Sequence, residues 1–228
     1  MAARSALIAA GLLASQQPAL AEPARTRNVA IVLYEGVEVL DFAGPAEVFQ
    51  AASSDADGRP AFRAFTVAPT KAPIVSQRFV RIMPEFSIED APKADILVIP
   101  GGSSGVLLDD AAFMAWTERA IRDAEVTLTV CTGAFVAART GALDGHGATT
   151  WYGAVERLRQ AAPKVNVQEG RRFVDSGRIV TTAGVSAGID GALHVVARLL
   201  GRNTADLTAR YMEYHWAPEP YLARNYAP

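Results

Sequence analysis

The sequence is poor in the residues from which disulfide frameworks, metal centres and nucleic-acid surfaces are built. One cysteine among 228 residues closes no internal disulfide and excludes a zinc site made of several thiolates. It therefore says nothing firm about redox compartment. The three histidines, His146, His194 and His215, show no metal-pair spacing. Lysine and arginine (22) nearly balance aspartate and glutamate (24), for a formal net charge of −2. Without a basic excess no nucleic-acid partner is expected, and without an acidic block no disordered acidic tail. Apolar runs are too short to span a bilayer, which needs roughly 18 such residues or more. No internal repeat, low-complexity tract or linker divides the chain. What remains is a small-molecule protein, with no cofactor and no metal expected.

The first residues carry a different signal. Arg4 precedes the apolar run Ala6–Ala14, a polar break follows at Ser15–Pro18, and Ala19-Leu20-Ala21 stands before Glu22. A basic start, a short apolar centre and a small-x-small site are the pattern of a secretory signal peptide. Cleavage after Ala21 would export residues 22–228 to the periplasm or beyond; an uncleaved leader would leave the protein cytoplasmic. Half of the sequence is hydrophobic and a fifth charged, enough for one α/β domain with a full core.

Continuous apolar runs bounded by polar residues read as buried parallel strands. Asn28–Tyr34, Phe62–Val67, Ala94–Gly102 and Thr127–Val130 are of this kind, with a short edge segment at Val80–Met83. Pro45 suits a first helical position, predicting a helix over Pro45–Ala52. Ser53–Pro60 reads as a polar loop. Asp109 opens an amphipathic helix to about Ala124, and further helices follow at Tyr152–Gln160, Ser186–Leu200 and from Asn203. Brief strands at Gly147–Thr149 and Val165–Gln168 precede Phe173–Asp175 and Ile179–Thr182, the last two joined by the hairpin turn Asp175–Arg178. Strands alternate with helices, so the fold class is α/β with a mostly parallel sheet.

Within this frame Thr127–Ala138 stands out: a β-branched strand runs into the cysteine and a small-residue helix leaves it. Such a bend puts Cys131 at the carboxyl edge of the sheet, where open α/β folds bind ligands. A helix N-terminus there favours the thiolate, lowering a pKa of about 8.5 by one or more units. A lone cysteine is also a common buried hydrophobe, and a nucleophile still needs an acid or base. Asp41, at the same sheet edge, could supply it or simply cap a helix. Pro100-Gly101-Gly102 makes a tight turn whose bare backbone could donate to an anion. The histidines are weaker partners, and His194 is expected to pack on a helix face.

Four stretches in this order resemble the PfpI superfamily, which shares a flavodoxin-like core with class I glutamine amidotransferases. They are Gly36–Pro45, Val98–Gly102, the nucleophile elbow Val130–Ala134 and Thr182–Asp190. Asp-x-x-Gly-Pro followed by Cys-Thr-Gly resembles the isonitrile hydratase branch and the ligand-sensing half of certain AraC-type regulators. The resemblance implies Cys131 as nucleophile, Asp41 as acid/base and Thr132 as a supporting hydroxyl. Backbone N–H groups of Gly102 and Thr132 would stabilise an anion, with Gly101 and Gly133 in the substrate pocket. It also implies a homodimer. The function implied is hydration of an isonitrile to a formamide; a sensing module without turnover and a glyoxalase- or amidase-like thiol enzyme are the alternatives. Related sequences often have Thr-Thr-His-Trp where this one has Thr149-Thr150-Trp151-Tyr152, so Trp151 stands in the usual histidine's place.

Overall fold

A computed structural model describes residues 25–52 and 59–216. The expected leader and residues 53–58 of the polar loop lie outside the described residues. The strands are β1 (Arg27–Val32), β2 (Phe62–Ala68), β3 (Ile74–Ser76), β4 (Val80–Ile82), β5 (Phe86–Ser87), β6 (Ile96–Ile99), β7 (Val126–Val130), β8 (Gly147–Ala148), β9 (Asn166–Val167), β10 (Phe173–Asp175) and β11 (Ile179–Thr182). The helices are α1 (Val39–Ala51), α2 (Gly105–Leu108), α3 (Ala111–Asp123), α4 (Gly133–Arg139), α5 (Val155–Ala161), α6 (Ala187–Leu200) and α7 (Arg202–Tyr211). A seven-stranded sheet runs β10-β11-β7-β6-β1-β2-β5, parallel except for β10, which turns back on β11 through the expected hairpin.

The apolar strands are buried on both faces. Val29, Ile31, Ile96, Val98, Leu128 and Val130 pack towards α1, α6 and α7. Ala30, Val32, Leu97 and Ile99, one residue out of step, face the layer of α3, α4 and α5. Period-two alternation thus feeds two cores from each strand. The chain leaves β1 towards β2 on one side and returns to β6 on the other. That reversal opens a crevice at the carboxyl ends of β1 and β6, and the segments after β1, β6 and β7 meet there.

The first helix departs from the sequence expectation. It starts at Val39, and Pro45 lies inside it. Proline there cannot donate to the carbonyl of Asp41, but packing makes up for this loss. A side-chain carbon on Gly188 would lie 3.3 Å from the Pro45 ring, and one on Gly44 would lie 2.9 Å from Ile189. The Gly-Pro and Ala-Gly-Ile stretches are therefore where α1 and α6 meet. Asp41 consequently sits in the first turn of α1 rather than before a helix. The expected helix from Asp109 begins two residues later, capped by Asp110, whose carboxylate accepts from the Phe113 N–H at 2.9 Å. The edge segment at Val80 belongs to a separate β3–β4 hairpin, and β3 and β5 had no clear sequence pattern because they are only two or three residues long.

Candidate active site

Cys131 occupies the bend between β7 and α4 with φ +57°. This left-handed conformation is rare for a residue with a side chain and costs on the order of 1 kcal/mol or more. It turns the thiol out of the strand line towards the crevice, leaving the residue 8% exposed. The glycines on either side allow the approach. A side-chain carbon on Gly133 would run into the Ile99 carbonyl of β6, so only glycine lets α4 start so close to the sheet. Gly133 is buried, and its role in the structure is this close packing. A side-chain carbon on Gly101 would lie 2.6 Å from the Thr132 nitrogen and 2.7 Å from Cβ of Cys131.

Asp41 is fully buried, and both its oxygens are held by backbone donors. Gly101 N–H donates to Oδ2 at 2.9 Å and Val185 N–H to Oδ1 at 3.1 Å. The Cys131 thiol acts on the same carboxylate and favours its charged form. Burial pushes the Asp41 pKa up from 3.8 to about 7, against the pull of these hydrogen bonds and with help from the Glu38 charge. Burial, followed by the Asp41 charge, pushes the Cys131 thiol up to about 12. The thiol is therefore not the free thiolate expected at a helix N-terminus. Desolvation outweighs the donors from Thr132 that face the sulfur. Between these limits the pair shares a single proton.

The anion pocket also differs from expectation. Gly102 N–H donates to Thr132 Oγ1 at 3.1 Å, and the Gly101 N–H is taken by Asp41. The Thr132 hydroxyl thus ties the elbow to the Pro-Gly-Gly turn, while its backbone N–H faces the Cys131 sulfur. Gly102, at φ +114°, has no room for a side chain against the Gly36–Glu38 backbone, with which it forms an antiparallel bridge through Val37.

Sequence reasoning gave no role to four further residues. The buried Tyr34 hydroxyl donates to the Pro100 carbonyl at 3.0 Å, and burial, then the Asp41 and Cys131 charges, raises its pKa well above the ordinary value. Thr150 donates to the Cys131 carbonyl at 2.7 Å. Val185 has φ +55°, an outlier for a β-branched residue, and aims its N–H at Asp41. Glu38 adds negative charge nearby. The Thr150 and Val185 stretches were visible as motifs, but their roles rest on backbone geometry. His194 behaves as expected of a packed residue: it pairs with Asp175 at 2.7 Å and stacks on Phe173. His146 lines a different cavity, with Glu118, Arg178 and Ile179.

The Gly101 contacts lead to a sharp expectation. Gly101→Ala should cut turnover at least about tenfold, with a stability loss of about 1–3 kcal/mol from overpacking. The new methyl must displace the elbow itself. Steady-state kinetics beside urea denaturation would check it; unchanged kcat/KM would show the elbow tolerates the shift.

The DJ-1/PfpI family model matches residues 27–198. The chain belongs to the DJ-1/PfpI family. It is 30% identical over 192 residues to the isonitrile hydratase of Pseudomonas putida, covering 84% of this chain and 80% of that protein. It is 24% identical to the HTH-type transcriptional regulator GbdR of Pseudomonas aeruginosa, covering 79% of this chain but only 49% of the regulator. Among solved structures, a THiJ/PfpI family protein from Pseudomonas syringae superposes with a TM-score of 0.75 at 24% identity, over 90% of this chain and 85% of the other. In this DJ-1/PfpI chain, then, the elbow cysteine and the buried aspartate meet at the topological switch point. Among the described residues no group of three or more His, Cys, Asp or Glu side chains could hold a metal ion.

Proposed function

We propose that this protein is a thiol enzyme that hydrates an isonitrile to an N-substituted formamide. The observation that carries the reading is the Cys131–Asp41 pair, an elbow thiol and a buried carboxylate fixed at both oxygens, both set against Gly101. The 30% identity to an isonitrile hydratase supports the same chemistry.

As Cys131 sulfur adds to the terminal isonitrile carbon, its proton passes to Asp41 and on to that carbon. The product is a thioimidate, Cys–S–CH=N–R. Water then adds to the C=N carbon, with Asp41 taking one proton and returning it to nitrogen. Collapse of the tetrahedral adduct breaks the C–S bond, releasing the formamide and restoring the thiol. A carboxyl with pKa about 7 is suited to both directions of proton transfer near neutrality. Thr132 keeps the Pro-Gly-Gly turn against the elbow, and its N–H steadies the sulfur as charge develops there.

Cyclohexyl isocyanide with the purified protein tests the reading: formamide should accumulate over many turnovers. A single equivalent or none would overturn it. We also propose an exported homodimer, on the composition of the leader and the resemblance to the superfamily. The mature chain should begin at Glu22 in the periplasmic fraction, and light scattering should give twice the chain mass. A cytoplasmic chain starting at Met1, or a monomer, would contradict the respective part.

A further inference from the structure

Beside the Cys131–Asp41 pair lies a cavity of about 290 Å³, walled by the Thr149–Tyr152 stretch, Val155, the 170–172 turn and the Ala183–Ser186 loop. It adjoins the dyad through two shared residues: Thr150, which holds the Cys131 carbonyl, and Val185, which holds Asp41. Trp151 and Tyr152, with ring centroids 4.9 Å apart, give one wall an aromatic surface. The Trp151 indole lies against Gly184, where a side-chain carbon would come within 2.5 Å of it.

Two arginines line the same cavity, and they differ in how their charge is used. Arg172 is committed: Nε donates to Asp190 at 2.5 Å, and Nη2 donates to Ser186 Oγ at 2.9 Å and to the Tyr214 hydroxyl at 3.4 Å. Arg171 is half-buried and has no hydrogen bond or ion pair among the described residues. Among the described residues no aspartate or glutamate lines the cavity. Nor does Arg171 figure among the charges acting on Asp41 or Cys131. A half-buried guanidinium with no anion among the described residues is unfavourable and is geometrically suited to a carboxylate.

We propose that Arg171 binds a carboxylate on the substrate, whose apolar body rests against Trp151 and Tyr152 while its reactive carbon reaches Cys131. The inference rests on the thiol-hydratase reading and makes its preferred substrates isonitriles that carry a carboxylate on an apolar, preferably aromatic, frame. A cavity of this size accommodates one small molecule of that kind.

The test compares 2-isocyano-3-phenylpropanoate with its methyl ester as substrates of the wild-type protein, Arg171→Gln and Arg171→Lys. The acid should exceed the ester in kcat/KM by about tenfold or more in wild type, the usual range for a charge-assisted hydrogen bond. Arg171→Gln should remove that preference mainly through KM while leaving the ester unchanged, and Arg171→Lys should restore part of it. Equal turnover of acid and ester by wild type, or an equal loss of both in Arg171→Gln, would overturn the proposal. A binding arm separates this from failure of the hydratase reading. 3-Phenylpropanoate should protect wild-type Cys131 from iodoacetamide at about tenfold lower concentration than 3-phenylpropanamide, and not in Arg171→Gln. If neither isonitrile is turned over but this protection appears, the hydratase reading fails and the carboxylate site stands. Equal protection by the two ligands refutes the carboxylate site whatever the turnover.

Discussion

Cys131→Ala should abolish formamide production, by on the order of 10⁴-fold or more, while the protein stays folded. The two halves of this expectation have different origins. Activity is lost because no other residue can form the thioimidate: Cys131 is the only thiol in the sequence, and the Thr132 hydroxyl is engaged with Gly102. Stability is retained because alanine accepts the same φ of +57° at the same backbone cost, and the Gly101 and Gly133 contacts involve backbone and Cβ rather than sulfur. The thiol is a small buried polar group whose removal leaves both Asp41 oxygens with their backbone donors, so the net change should stay within about 1 kcal/mol. Cys131→Ser separates nucleophile from shape: it keeps a small polar group at the elbow, yet it should remain inactive. The measurements are formamide yield and thermal denaturation of the three proteins side by side. Formamide from the alanine variant would remove the cysteine from the mechanism. An unfolded variant would show that the sulfur holds the elbow together.

Much of this site is legible in the sequence. The elbow was legible because a β-branched run meeting a small-residue helix has few other solutions, and because Pro-Gly-Gly after an apolar strand forces a turn at the same sheet edge. The fold followed from the alternation of buried runs and amphipathic segments. Pro45 misled because local propensity favours proline at a helix start, whereas the contact with Gly188 on α6 settles it inside α1. The state of the thiol misled for a related reason. A helix N-terminus is a local feature visible in sequence, but burial depends on the whole fold, and here burial is the larger effect. Val185 lay within a noted motif, yet neither its positive φ nor the aim of its N–H has any sequence signature. Gly133 is legible as part of the elbow, but its close approach to the Ile99 carbonyl, a contact between a helix and a strand far apart in sequence, is not.

Asp41→Asn tests the proton-sharing pair directly, and it should leave two separate marks. Turnover should fall by about 10²–10⁴-fold, the usual contribution of a positioned acid or base. The pH dependence should change with it. In the wild type, below pH about 7 both groups are protonated and the thiol has no base; above it the ionised Asp41 can receive the thiol proton. Alkylation of Cys131 and kcat/KM should therefore rise through pH 7 to a plateau, and asparagine should erase that step. Stability carries the second mark. The native state raises the Asp41 pKa from 3.8 to about 7, so between these values the folded protein holds a proton that the unfolded chain has released. Folding stability should then fall as pH rises from about 4 to 7, by up to about 4 kcal/mol from this residue alone. The contribution is fully present below pH 4 and gone above 7. Asparagine has no such titration, so urea denaturation at pH 5 and 8 should show a smaller difference in the variant. The substitution is not neutral at fixed pH, because one carboxylate oxygen becomes an NH₂ facing the Gly101 or Val185 donor. The comparison therefore rests on the change with pH rather than on absolute stability. An unaltered step at pH 7 together with an unaltered stability slope would assign both to another group, and Asp41 would be left as a structural acceptor for the two loops.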